Sequence, residues 1–202
     1  MQWHFLDSGA LYRVLALVAE RHAILFDDEE GLAGLARELN VSFTCPQVGE
    51  DIVVLLDGDN VSQQIRTESC GSHASQVATY PSVRGALLAR QRAFRKSPGL
   101  VADGRDMGTI VFPDAQLKIF LTASPDERAQ RRHKQLKQKG FDVNLAQLSA
   151  DIAERDTRDS KRTVSPLKPA DDAVAIDTTS LSIEAVIELV KKLVRERISD
   201  VH

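Results

Sequence analysis

The chain has 202 residues, 43% of them hydrophobic and 27% charged, with a formal net charge of -3. That composition suits one α/β domain with a modest insertion and a real core, and it gives no global electrostatic reason to expect nucleic acid or a membrane as partner. With no run of about 18 apolar residues and no basic, then apolar, N-terminal stretch, neither a membrane span nor a signal peptide is expected, and a soluble, cytoplasmic monomer is the reading.

In chain order, Trp3-His4-Phe5-Leu6 predicts a short strand that stops at Asp7-Ser8-Gly9. An amphipathic helix follows from about Ala10 to Arg21, with Leu11, Val14, Leu15 and Val18 on one side. Residues 27 to 40 predict a second helix, whose opening acids Asp27-Asp28-Glu29-Glu30 suit the helix dipole. The alternating segments Val41-Ser42-Phe43 and 52 to 56, with a turn at Asp57-Gly58-Asp59-Asn60, predict a small antiparallel sheet over residues 41 to 63. A helical pattern at 67 to 97 breaks near Tyr80-Pro81 and carries Val83, Leu87, Leu88 and Phe94 on its apolar side.

Three apolar runs of strand type come next, at 100 to 103, 117 to 122 and 173 to 177. Two charged helices lie between the last two, and an amphipathic helix occupies about Ser182 to Arg197. Strands separated by helices argue for a parallel sheet covered by helices. The two cysteines, Cys45 and Cys70, match no metal-ligand spacing and read as reduced thiols.

Four constellations can carry chemistry. The Asp7-Ser8-Gly9 turn opens a helix bearing Tyr12 and Arg13, and a helix start with a hydroxyl and an arginine could complete an anion site; taken alone, an ordinary Ser N-cap beside an exposed Arg is the better reading. In DGRDMGT, residues 103 to 109, two glycines allow a tight backbone, Arg105 offers a fork suited to phosphate, and Asp103 and Asp106 accept hydrogen bonds or order water around a metal. A polar loop with a structural Asp-Arg pair would look the same. Ligands of open parallel sheets bind beyond the carboxyl ends of strands, which is where this turn falls.

The third is the helix capped at Ser124-Pro125-Asp126-Glu127 and ended by Gly140. It holds Arg128, Arg131, Arg132, Lys134, Lys137 and Lys139 against two acids. On the next helix Arg155, Asp159 and Arg162 fall at i, i+4 and i+7 with Arg158 beside them. Two such helices can close over a phosphate chain as a lid, although i,i+4 salt bridging on a solvated face explains the pattern as well. RNA binding by the basic helix is disfavoured because no aromatic stacking residues lie near it. The fourth, Ser75 and Arg84 on the segment leading to the Gly-Arg-Asp turn, says nothing by itself.

Taken together, these stretches closely resemble the bacterial cytidylate kinases: LDSGALYRVLAL at 6 to 17, ASQVATYPSVRGALLARQRAFR at 74 to 95, ADGRDMGTIVFPDA at 102 to 115, KIFLTASPDERAQRR at 118 to 132, and ERDTRDSKR with SPLKPADDA at 154 to 173. The match is collinear along essentially the whole chain. The resemblance implies transfer of the γ-phosphoryl group of ATP to CMP or dCMP on a nucleoside monophosphate kinase fold of the P-loop type. It implies a core at 1 to 26 and 98 to 202 with a helical lid at about 124 to 165, and a nucleotide-binding insert with connecting helices at 27 to 97. Ser8, Arg13 and Arg105 would contact the acceptor phosphate, and Ser75, Arg84 and Asp106 would read the cytosine edge. Arg155 and Asp159 would hold sugar and phosphate. Arg128, Arg131, Arg158 and Arg162 would be lid arginines, with Arg105, Arg155, Arg158 and Arg162 the catalytic set. No metal is held by the protein alone; Mg²⁺ arrives with ATP.

The family also has a strand, a G-x-x-x-x-G-K-G-T phosphate loop and a helix upstream of its counterpart of Trp3, and no such loop occurs in these 202 residues. The expectation is therefore an N-terminally incomplete kinase lacking its first strand, P-loop and first helix. ATP should then bind poorly, catalysis should fall by orders of magnitude, and neighbouring strands should expose apolar faces. The alternative is a module that binds CMP and transfers nothing.

Overall fold

The computed structural model describes residues 3–44, 52–138, 140, 142–160 and 167–198, with the backbone alone at Arg158. The chain divides into two compact units, residues 2 to 107 and residues 108 to 202.

The first unit opens with β1 (His4–Asp7) and α1 (Ser8–Arg21). The helix starts two residues earlier than its apolar period suggests because Asp7, not Ser8, is the N-cap: its carboxylate accepts from Ala10 N at 2.9 Å. α1 buries Leu11, Val14, Leu15 and Ala19, and packs against both α2 (Glu29–Glu38) and α3 (Glu68–Val77). Asp28 caps α2 by accepting from Gly31 N, so the acidic run serves partly as a cap and partly as a dipole partner.

The antiparallel sheet forms as expected, in the order β2 (Val41–Thr44), β3 (Val53–Leu56), β4 (Asp59–Asn60). Asp57 and Gly58, with φ of 53° and 91°, make the tight link between β3 and β4, as two-residue hairpin turns require. A 3₁₀ turn at Gln64–Arg66 leads into α3, and the chain breaks at Thr79-Tyr80 before α4 (Pro81–Ala93), whose Pro sits at the helix start. α4 lies on α2. At its end Phe94 meets the Phe43 ring, which also meets Phe5 of β1 edge to face. β5 (Leu100–Asp103) pairs in parallel with β1, His4 opposite Leu100 through Asp7 opposite Asp103. The region expected as an insert, 27 to 97, thus belongs to the same unit as β1, α1 and β5.

In the second unit β6 (Ile119–Thr122) pairs in parallel with β7 (Val174–Asp177). The charged helices α5 (Pro125–Gln138) and α6 (Leu145–Ser160) pack on each other, and α7 (Ile183–Arg197) is capped by Ser182, which accepts from Ala185 N. Ser124 caps α5 as expected, accepting from Glu127 N at 3.2 Å, and Gly140 follows that helix at φ 83°.

One expectation needs correction. The parallel strands do not form a single helix-covered sheet: among the described residues, ladder hydrogen bonds join β1 only to β5 and β6 only to β7. Two-stranded parallel pairs leave faces that a wide sheet would bury, and Val101 on β5 is 50% and Leu121 on β6 54% exposed. Mixed α/β architecture with parallel strand pairs and many helices is what the chain adopts. No described helix is long and apolar enough to cross a membrane.

Candidate functional site

Parallel pairing brings Asp7 and Asp103 side by side at the carboxyl ends of β1 and β5, so the start of α1 and the Gly104-Arg105-Asp106 turn leave the sheet together. Packing makes that closeness possible. A Cβ on Gly104 would stand 2.9 Å from Ser8 Cβ and 3.0 Å from Met107 Cε, so only glycine lets the turn lie against α1. The backbone then enters a π-helical turn, Met107–Val111, which no periodicity in the sequence signals.

Asp106 is buried and forms an ion pair with Arg84 of α4, both side chains at 10% exposure or less. Arg84 also donates to Ala78 O at 3.2 Å, and its guanidinium lies 5.8 Å from the centre of the Tyr12 ring. Two groups read from separate stretches of sequence are therefore brought together, with a carboxylate acceptor and guanidinium donors side by side. Ser75, on α3, is buried in the same unit.

Ser8 is also buried. Its hydroxyl donates to Gln91 Oε1 at 3.0 Å, and Gln91, 2% exposed, is a site residue that sequence reasoning missed. Its signal was a polar residue seven positions after Arg84, on the helix face that also carries Leu87. Arg13 donates through Nη1 to Ile65 O at 2.8 Å and Thr67 O at 3.1 Å. Cys70, free and buried, donates to Arg13 O, and burial pushes its thiol pKa up against the lowering effect of Arg13; Cys45 lies outside the described residues.

Asp103 has a raised pKa. The residue is exposed; desolvation is the main cause, followed by the Asp7 carboxylate, and Arg105 works in the opposite direction.

In the second unit, Arg128 closes a two-pronged fork on Asp156 of α6, with Nη1 to Oδ1 at 2.9 Å, and donates from Nε to Ala123 O. Arg131 donates from Nε to Glu127 at 2.7 Å and from both Nη atoms to Thr178, just after β7. Glu127 therefore serves Arg131 with its carboxylate. Asp159 is 1% exposed, and Arg155 Nε lies 3.9 Å from its Oδ2 across one helical turn. The side chain of Arg158 and all of Arg162 lie outside the described residues. No cluster of three or more His, Cys, Asp or Glu side chains able to hold a metal occurs among the described residues.

The cytidylate kinase family model matches residues 1–196. A cytidylate kinase of Stutzerimonas stutzeri is 57% identical over 195 residues, covering 96% of this chain and 85% of that protein. The cytidylate kinase of Aeromonas salmonicida is 54% identical over 198 residues, covering 98% and 85%, and that of Pseudomonas aeruginosa 58% over 188, covering 93% and 82%. A family model matching residues 1–196 and relatives 54–58% identical over nearly the full length of this chain leave one assignment: the chain belongs to the cytidylate kinase family.

Proposed function

We propose that the chain is a nucleotide kinase that accepts CMP or dCMP and receives the γ-phosphoryl group of ATP, with Mg²⁺ entering as part of the MgATP substrate. The observation that carries this reading is the buried Arg84–Asp106 pair. Cytosine presents an exocyclic amino donor beside ring-nitrogen and carbonyl acceptors, and a fixed carboxylate next to a guanidinium matches that order. Uracil would turn a carbonyl oxygen toward the carboxylate. Ser75 is assigned to the same base.

Arg105 and Arg13 are assigned to the acceptor phosphate, at the start of α1 where helix N–H groups favour an anion. A phosphate bound there accepts the hydrogen bond of Ser8 Oγ in place of Gln91. In the second unit we assign Arg155 and Asp159 to sugar and phosphate, and Arg158 and Arg162 to the phosphate chain. Arg128 and Arg131, already holding Asp156 and Thr178, serve the lid first by fixing α5. The chemistry asked of these groups is positioning and neutralisation of charge spread over the transferred phosphoryl oxygens, not proton abstraction.

Calorimetric titration with CMP, dCMP and UMP, beside an ADP-release assay with MgATP, tests this reading. Tight CMP with weak UMP and ADP release supports it; no preference for CMP over UMP, or CMP binding without ADP release, counts against it.

A further inference from the structure

The glycines of α2, α3 and α4 are not equivalent. A Cβ on Gly34 or Gly85 would meet nothing within 4 Å. A Cβ on Gly71 would stand 2.7 Å from Arg13 Nη2 and 3.1 Å from both Cζ and Nη1, so the guanidinium lies flat on the backbone of α3. Gly71 has no left-handed φ to explain it, and in a helix glycine is less stable than alanine. What the residue supplies is the space for Arg13.

Three hydrogen bonds to Arg13 make this a built seat. Thr67 O accepts from both Gly71 N and Arg13 Nη1, Ile65 O accepts from the same Nη1, and Cys70 Sγ donates to the Arg13 carbonyl. The 3₁₀ turn and the first turn of α3 thus grip Arg13 at its backbone and at its tip. We infer that Gly71 is a positioning residue for acceptor-phosphate recognition, setting the plane and reach of the Arg13 guanidinium. The inference rests on the reading of Arg13 as a ligand of that phosphate.

The clash that alanine would bring is with the far end of a flexible side chain, so the helix survives and the fork moves. Affinity and stability are therefore expected to change in opposite directions. The experiment compares Gly71→Ala, Gly34→Ala and Arg13→Ala with the wild-type chain, measuring CMP and cytidine binding by calorimetry and Tm by thermal melting.

Gly34→Ala should raise Tm and leave both ligands alone. Gly71→Ala should melt no lower than wild type, weaken CMP about tenfold, and leave cytidine, which has no phosphate, within about twofold. Its loss should not exceed that of Arg13→Ala. Wild-type CMP affinity in Gly71→Ala, a loss larger than that of Arg13→Ala, or parallel loss of CMP and cytidine with a lowered Tm would each overturn the inference. If the wild-type chain itself binds no CMP, the functional reading falls and this one with it.

Discussion

Arg84 and Asp106 stand 22 positions apart in the sequence, yet they meet as an ion pair almost shut off from solvent. Such a pair is worth little net stability against an apolar replacement, but removing one partner strands a buried charge. Asp106→Ala is expected to lower unfolding free energy by about 3 kcal/mol and Arg84→Ala by a similar amount. The double variant Arg84→Met with Asp106→Leu should recover most of it. Urea unfolding measures this, and additive losses in the double variant would show that the two side chains do not act together.

Gly104→Ala is expected to behave unlike Gly71→Ala. Met107 Cε can swing away, but Ser8 Cβ is fixed to the start of α1, so the Gly-Arg-Asp turn itself must shift. The cost should be about 1–3 kcal/mol, with CMP affinity falling alongside stability. A Tm equal to wild type would count against the close approach.

The fork of Arg128 on Asp156 ties α5 to α6, with side chains about a third and a quarter exposed. Solvent screening limits its worth to about 1 kcal/mol. Asp156→Ala should speed amide hydrogen exchange along α6, and a double-mutant cycle with Arg128→Ala should return a coupling of that size. Zero coupling would mark the pair as incidental.

Asp103 gives a pH prediction with a definite sign. Its folded-state pKa is raised, so above that pKa the folded state bears the cost of a partly desolvated charge beside Asp7. As pH falls through the raised folded pKa the folded state takes up a proton and the cost fades; below the ordinary carboxylate range it is gone. Asp103→Asn should therefore melt above wild type at about pH 7, by the order of 1–2 °C, and lose that advantage toward about pH 4. An advantage that grows in acid would contradict this.

Much of the fold was legible because its signals are local. Apolar periodicity placed α1, the Tyr80-Pro81 break and the strands to within a few residues, and Asp57-Gly58 declared its turn. What stayed hidden depends on distant partners. Asp7 outcompetes Ser8 as N-cap, which frees Ser8 for Gln91, 83 residues away. The pairing of strands into twos is decided by edges that periodicity does not describe, and the π turn at Met107–Val111 has no sequence period to betray it. At the site, the DGRDMGT turn marked Asp106 by its residue types, whereas Arg84 carried no signal of its own and was named only through the family resemblance; packing joins the two. Arg128 and Arg131 read only as charge, because their acceptors, Asp156 and Thr178, lie on other elements.

α4 presents Arg84, Leu87 and Gln91 at i, i+3 and i+7, nearly the same rotational phase, with Leu87 fully buried between two polar anchors. One anchor holds Asp106 and the other Ser8, so the helix acts as a ruler about 10 Å long between the Asp106 carboxylate and the first residue of α1. One residue inserted between 84 and 91 would turn one anchor about 100° from the other, so the two contacts could not both survive a change of count.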